Sequence, residues 1–121
     1  FITLYGFKGI TSSEAFSPER YMDMIDRHQV TFVFVFPFNH KHVIESKQAR
    51  PMKSVKTVLL GGFTIYQEFV DSLAFFYPNA KLRSTYGSSE LNTMTIAWTE
   101  PKGISSGCVF PNNHLKVRLL K

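Results

Sequence analysis

Val55-Lys56-Thr57-Val58-Leu59-Leu60-Gly61-Gly62 is an apolar, β-branched run that stops on two glycines. It reads as a buried strand from Val55 to Leu60 with a tight turn after it. Thr64 with Gln67 then makes a capping box, and Ile65, Phe69, Leu73 and Phe76 recur as the apolar stripe of a helix. Pro78-Asn79 stops that helix, and Lys81 to Thr85 is a second short strand. A strand, a crossover helix and a strand form the unit of a parallel sheet.

The same alternation continues on either side. Upstream, Ser17-Pro18 is a helix start, with Ser as cap and Pro where its missing N–H costs nothing. Tyr21, Met24, Ile25 and His28 follow as one helical stripe, with Asp23, Asp26 and Arg27 off it. Thr31 to Phe36 is continuous, β-branched and aromatic, closed by Pro37, and predicts a strand covered on both faces. Asn39 caps a short helix through about Ser46, and Arg50-Pro51 lies in the loop after it. Gly6 to Thr11 is expected to be a strand, as are Met94 to Trp98 and Leu115 to Leu120. The fold class that follows is α/β, part of a layered sheet-and-helix domain with mainly parallel strands.

Composition agrees with a folded domain. The chain has 121 residues, 44% hydrophobic and 19% charged, which is too apolar for disorder. Of twelve Phe, seven cluster at 32–38 and 69–76, where several elements must share one core. No run approaches the roughly 18 apolar residues of a membrane-spanning helix. The formal charge of +5 is scattered, and its densest stretch (Lys41, Lys47, Arg50, Lys53, Lys56) holds no aromatic residue for base stacking. A solvated basic face is therefore expected rather than a nucleic-acid site. The single Cys108 excludes an internal disulfide framework and reads as a structural thiol. The chain opens on Phe1 and closes at Lys121 inside an alternating apolar run, so it is expected to be a piece of a longer protein.

In parallel sheets, ligands gather beyond the carboxyl ends of the strands. Two segments are expected there: Gly61-Gly62-Phe63-Thr64 and Tyr86-Gly87-Ser88-Ser89-Glu90. Tyr86 offers a flat face to a purine, and Gly87 permits close backbone approach. Ser88 and Ser89 can donate to phosphate oxygens, and Glu90 can hold a bridging divalent cation. On residue types alone, the same run is more often a turn leading into a capped segment. His40-x-His42 is not a metal pair, because i and i+2 on a helix do not share a face, and both are expected to face solvent. His28, at a helix end, suits the macrodipole.

The order of segments removes part of that ambiguity. A strand ending in Gly-Gly, a helix, Pro-Asn, then Lys81-Leu82-Arg83-x-x-Tyr86-Gly87-x-Ser89-Glu90 resembles the adenylate-forming (AMP-binding) superfamily. Acyl-CoA synthetases, 4-coumarate-CoA ligases and insect luciferases belong to it. The strand-Pro element at 30–37, Gly103-Ile104-Ser105-Ser106-Gly107 and the strand at 115–120 are similar to family segments in the same order. The resemblance implies an ATP-dependent carboxylate-activating ligase that forms an acyl-adenylate and then, usually, a CoA thioester. It implies that Tyr86 borders adenine, that Gly61 and Gly62 shape the adenine side, and that Ser89 contacts the phosphate. It further implies that Glu90 binds Mg²⁺ and that Thr93 and Met94 border the acyl pocket. Catalytic roles fall on Ser89 and Glu90; cofactor contacts fall on Gly61, Gly62, Phe63, Tyr86, Gly87, Ser88 and Ser89. The implied partners are ATP or AMP, Mg²⁺, CoA and a fatty or aromatic acid, in the cytoplasm or the peroxisome.

Three departures stand against the family pattern. Phe63 and Thr64 follow Gly61-Gly62 where a small residue and Pro are usual, Phe38 follows Pro37, and Ser84-Thr85 replaces a frequent x-Gly before the Tyr. They keep open a non-catalytic, divergent nucleotide- or acyl-binding descendant. An unrelated basic α/β binding module is the remaining alternative. The resemblance places the phosphate loop upstream of Phe1, and the ribose-binding segment and the C-terminal domain with its catalytic Lys downstream of Lys121. The 121 residues alone are then expected to be an inactive internal piece of an AMP-binding domain, poorly soluble through exposed sheet edges and half-covered helices.

Overall fold

The computed structural model describes Gly6 and residues 8–62, 66–88 and 93–98. Seven elements follow in the order α1 (Pro18–His28), β1 (Phe32–Val35), α2 (Pro37–Ile44), β2 (Thr57–Leu60), α3 (Gln67–Phe76), β3 (Lys81–Ser88) and β4 (Thr93–Trp98). The four strands form one sheet in that order. β1, β2 and β3 are parallel, with Phe32 opposite Thr57 and Thr57 opposite Lys81, and β4 closes the sheet antiparallel to β3.

The register explains the core. Val33, Val58 and Leu82 lie side by side, as do Val35, Leu60 and Ser84, and all six are buried. Their face joins Met22 and Ile25 of α1, Val43 of α2, and Val70, Leu73 and Phe76 of α3 in one cluster. Helix α1 begins as predicted: Pro18 is its first residue and the Ser17 hydroxyl accepts from the Arg20 amide at 3.5 Å. It ends at Gln29, whose φ of 49° is left-handed and turns the chain into β1. The segment between α2 and β2 is tied down by backbone bonds, Met52 N–H donating to the Phe76 carbonyl at 2.7 Å and Lys56 N–H to Thr31 at 2.8 Å.

Several sequence expectations need correction. Residues 8–11 form no strand. The α1 stripe runs through Met22, fully buried, while His28 is exposed. β1 is not covered on both faces: Val33 and Val35 are buried, but Phe34 and Phe36 are 37% and 43% exposed. Helix α2 starts at Pro37 with Phe36 at the cap, so Asn39 sits inside it; proline's fixed φ outweighs the Asn side chain as a start signal. In α3 the cap is Tyr66 and Gln67 is the first helical residue, so Gln67 is not three residues into a box. Ile65, Thr64 and the strand at 115–120 lie outside the described residues. Among the described residues no helix is long and apolar enough to cross a membrane.

Candidate functional site

Parallel strands present their carboxyl ends on one edge, and here that edge carries the glycine turn. The last β2–β3 pair is Leu60 opposite Ser84, so Gly61 emerges beside Thr85 and Gly62 turns away from the strand at the same edge. The approach is close. An ideal Cβ on Gly61 would stand 2.5 Å from Thr85 Cγ2, 3.3 Å from the Thr85 carbonyl oxygen and 3.2 Å from Phe34 Cζ. Gly61 is therefore glycine for want of space. Gly62 is glycine for conformation, with φ +84°, and the Phe36 ring lies 3.2 Å from where its Cβ would be. Gly61 is buried and Gly62 exposed, so the accessible part of the turn is Gly62.

β3 does not stop at Thr85. It runs through Tyr86-Gly87-Ser88 and pairs with β4, Tyr86 opposite Thr95, Gly87 opposite Met94 and Ser88 opposite Thr93. The turn reading of Tyr86 to Ser88 is thus corrected to strand, since the ladder with β4 satisfies its backbone groups. Thr93 and Met94 fall directly across from the Tyr-Gly-Ser segment. Phe63, Ser89, Glu90, Cys108 and Gly103 to Gly107 lie outside the described residues.

Sequence reasoning missed His40. It is not solvent-facing but 2% exposed, stacked on Tyr77 at 5.5 Å between ring centroids and met edge-on by Phe69 at 5.8 Å and Phe76 at 5.3 Å. Burial lowers its pKa to about 4, so the imidazole is neutral near pH 7. Its Nε2 has no hydrogen-bond partner among the described residues. The signal was present: His40 and Val43 are three apart on a helix that begins at Pro37, so they share its buried face. His42 is exposed, edge-on to Phe38. The neighbouring Tyr77 and Tyr21 hydroxyls bond each other at 2.8 Å, and burial raises the Tyr21 pKa to about 12. Of the basic stretch, Arg50 is engaged with Asp23 and Asp26. Among the described residues no three His, Cys, Asp or Glu side chains group as a metal site.

The AMP-binding enzyme family matches residues 1–119. No curated protein matches the chain significantly by sequence. Among solved structures, the luciferase-like enzyme from the nonluminescent mealworm Zophobas morio is similar at 23% identity and TM-score 0.56, covering 63% of this chain and 18% of that one. O-succinylbenzoate coenzyme A synthetase from Bacillus subtilis, solved with AMP, is similar at 19% identity and TM-score 0.64, covering 80% and 20%. A Rhodopseudomonas palustris protein assigned as a long-chain-fatty-acid CoA ligase is 26% identical at TM-score 0.56, covering 69% and 21%. The matched region spans about a fifth of the length of these structures. The chain shares its fold with these structures, and with residues 1–119 matched by the family model it belongs to the AMP-binding enzyme family.

Proposed function

We propose that residues 1–121 are an internal piece of the AMP-binding domain of an ATP-dependent carboxylate-activating ligase and supply its adenylate cradle. The observation that supports this reading is the β2–β3 register, which brings Gly61 against Thr85, the residue before Tyr86, at the carboxyl edge of the sheet. In the reaction, a carboxylate oxygen attacks the α-phosphorus of ATP, the bond to the β-phosphate oxygen breaks, and pyrophosphate leaves. The acyl group then passes to the thiol of CoA, releasing AMP.

The part played by this chain is binding and orientation. Tyr86 borders the adenine, with Gly62 as the accessible backbone beside it and Gly61 locked behind by Thr85 and Phe34. Phe63, Gly87 and Ser88 are assigned to nucleotide contact, and the Ser89 hydroxyl to the phosphate. Glu90 holds Mg²⁺, which neutralises phosphate charge when bound. The phosphate loop and the lysine-bearing C-terminal domain come from the remainder of the parent.

The test is exchange of labelled pyrophosphate into ATP by the intact protein with a panel of carboxylic acids. Tyr86→Ala should raise the KM for ATP about tenfold, the loss of one ring contact of roughly 1.4 kcal/mol. Glu90→Gln should raise the magnesium concentration needed for half-maximal exchange. Absence of exchange with every acid would sink the active-ligase reading.

A second reading has an observation of its own. Phe34, Phe36 and Thr85 occupy the space on one side of the glycine turn, which suits a descendant that binds nucleotide or acyl group without turnover. Equilibrium binding of ATP with no exchange would single it out.

A further inference from the structure

An open cavity of about 250 Å³ lies alongside β1 at its carboxyl end, and its lining tells which side of the strand it occupies. Successive side chains of a strand point to opposite faces of the sheet. Phe34 and Phe36 belong to the exposed face and Val35 to the core face, yet all three line the cavity. A space bordered by both faces of one strand lies at that strand's edge. The described sheet runs β1-β2-β3-β4, so β1 is terminal and pairs only with β2. The Thr57 amide donates to the Thr31 carbonyl at 3.0 Å, which sets the phase of the ladder. Thr31, Val33 and Val35 therefore turn their backbone groups toward β2, and Phe34 turns its N–H and C=O outward, away from β2.

The chemistry of this edge narrows what can sit on it. Edges that stay bare in water are guarded by Lys, by an internal Pro or by a bulge. β1 has none of these, and no Lys, Arg, Asp or Glu stands between His28 and Lys41. The cavity walls are apolar on both sides of the edge: Phe34 and Phe36 on one, Val35 with Tyr21 of α1 and Val43 of α2 on the other. His40 is spent on its contacts with Phe69, Phe76 and Tyr77 and offers the cavity no polar atom. An occupant must pair with main chain and offer uncharged side chains to both faces. That describes an inner strand of a parallel sheet, an unbroken apolar run rather than an alternating one. Since an apolar cavity of roughly 150 Å³ takes a benzene ring, the space here takes a large apolar side chain of such a strand.

We propose that the open edge of β1 receives a further strand from a part of the intact protein outside residues 1–121, so that the sheet continues past β1. The proposal rests on the reading of residues 1–121 as an internal piece, and the chain spans about a fifth of the structures it matches. Phe34 and Phe36 lie against Gly61 and Gly62, so the added strand holds both rings over the glycine turn.

Two measurements on the intact protein test this. Native-state hydrogen exchange compares the Phe34 amide, which faces the edge, with the Val33 amide, which faces β2 in either case. Protection of Phe34 within about a hundredfold of Val33 is expected. The second measurement places photoreactive benzoylphenylalanine at Phe16, a half-exposed ring of the cavity lining, and at Phe75 on the exposed side of α3 as control. Position 16 should cross-link, within one chain, to an uncharged apolar run outside residues 1–121, and position 75 should not. A Phe34 amide that exchanges more than about a hundredfold faster than Val33 overturns the proposal. So do cross-links from position 16 confined to residues 1–121, or joining two copies. Pyrophosphate exchange is read separately: its absence with a protected Phe34 and the expected cross-link rejects the active ligase and keeps the added strand, and exchange with an unprotected Phe34 does the reverse.

Discussion

Gly61→Ala is the sharpest perturbation of the glycine turn, because its cost has one main source. The new Cβ would stand 2.5 Å from Thr85 Cγ2, against about 3.5–4.0 Å for a comfortable carbon contact. Thr85 is β-branched and held in β3, so its methyl cannot swing aside without leaving its rotamer or moving the strand. Overpacking of this kind costs about 2 kcal/mol. Thr85→Ser deletes the methyl and keeps the hydroxyl, so the double variant should recover about 1 kcal/mol relative to additivity. The remainder persists because the Thr85 carbonyl and Phe34 still lie 3.3 and 3.2 Å from the new Cβ. Gly62→Ala is the control. Its φ of +84° costs about 1–2 kcal/mol whatever stands at position 85, and Thr85→Ser should not relieve it. Native-state hydrogen exchange at the β2 and β3 amides of the intact protein reads these local free energies. Strictly additive costs for Gly61→Ala and Thr85→Ser would refute the steric account of the turn.

Four further outcomes are expected. His40 stays neutral down to about pH 4 in the folded chain but protonates near 6.5 when unfolded. Its contribution is therefore full above pH 6.5 and lost as pH falls toward 4, by about 3 kcal/mol at most; the urea midpoint should drop accordingly, and less so in His40→Leu. Tyr77→Phe leaves the Tyr21 hydroxyl without its 2.8 Å partner and should cost about 1–2 kcal/mol by thermal melting, more than half of which the second change Tyr21→Phe recovers. Arg50→Met removes a bridge from the loop before β2 to Asp23 and Asp26 of α1, at 2.7 and 2.9 Å; it should cost under about 1 kcal/mol and nothing measurable in roughly 1 M salt. Ser17→Ala should destabilise by about 0.5–1 kcal/mol, the low end for a cap because the bond to Arg20 N–H is long at 3.5 Å, and a larger loss in chemical denaturation would point to another role for the hydroxyl.

The parallel frame was legible because it rests on period and punctuation. The runs at 31–36 and 55–60 are too apolar and too β-branched to be surface helix, and Gly61-Gly62 and Pro78-Asn79 stop their elements where the chain does turn. What escaped was what depends on partners distant in sequence. Tyr86-Gly87-Ser88 has the residue types of a turn and becomes strand only because β4 pairs with it. The unbroken aromatic run of β1 suggested cover on both faces, yet only its valines reach the core, and Phe34 and Phe36 line a cavity instead. His40 was discounted with His42 because the pair failed as a metal site. That argument was sound for the pair and silent about each member: once Pro37 starts α2, His40 shares the face of Val43 and must be buried.

The two glycines show how a shared motif can serve two masters. Family resemblance alone makes Gly61-Gly62 a ligand contact, and on that view both should be bare to the nucleotide. The geometry divides them. Gly61 is consumed by internal packing, since Thr85 stands where the family often has glycine and its methyl fills the space above the Gly61 Cα. A Thr before Tyr86 thus makes glycine at 61 a structural necessity independent of any ligand. Gly62, exposed and left-handed, keeps the freedom a ligand could use. Loss of nucleotide binding in a Gly62 variant therefore carries information about the site, whereas loss in a Gly61 variant first reports the β2–β3 contact. The separation also places the two Phe rings: Phe36 stands over the usable glycine and Phe34 over the spent one. A ligand seated on Gly62 accordingly meets Phe36 first, so Phe36→Ala should change equilibrium ATP binding more than Phe34→Ala does.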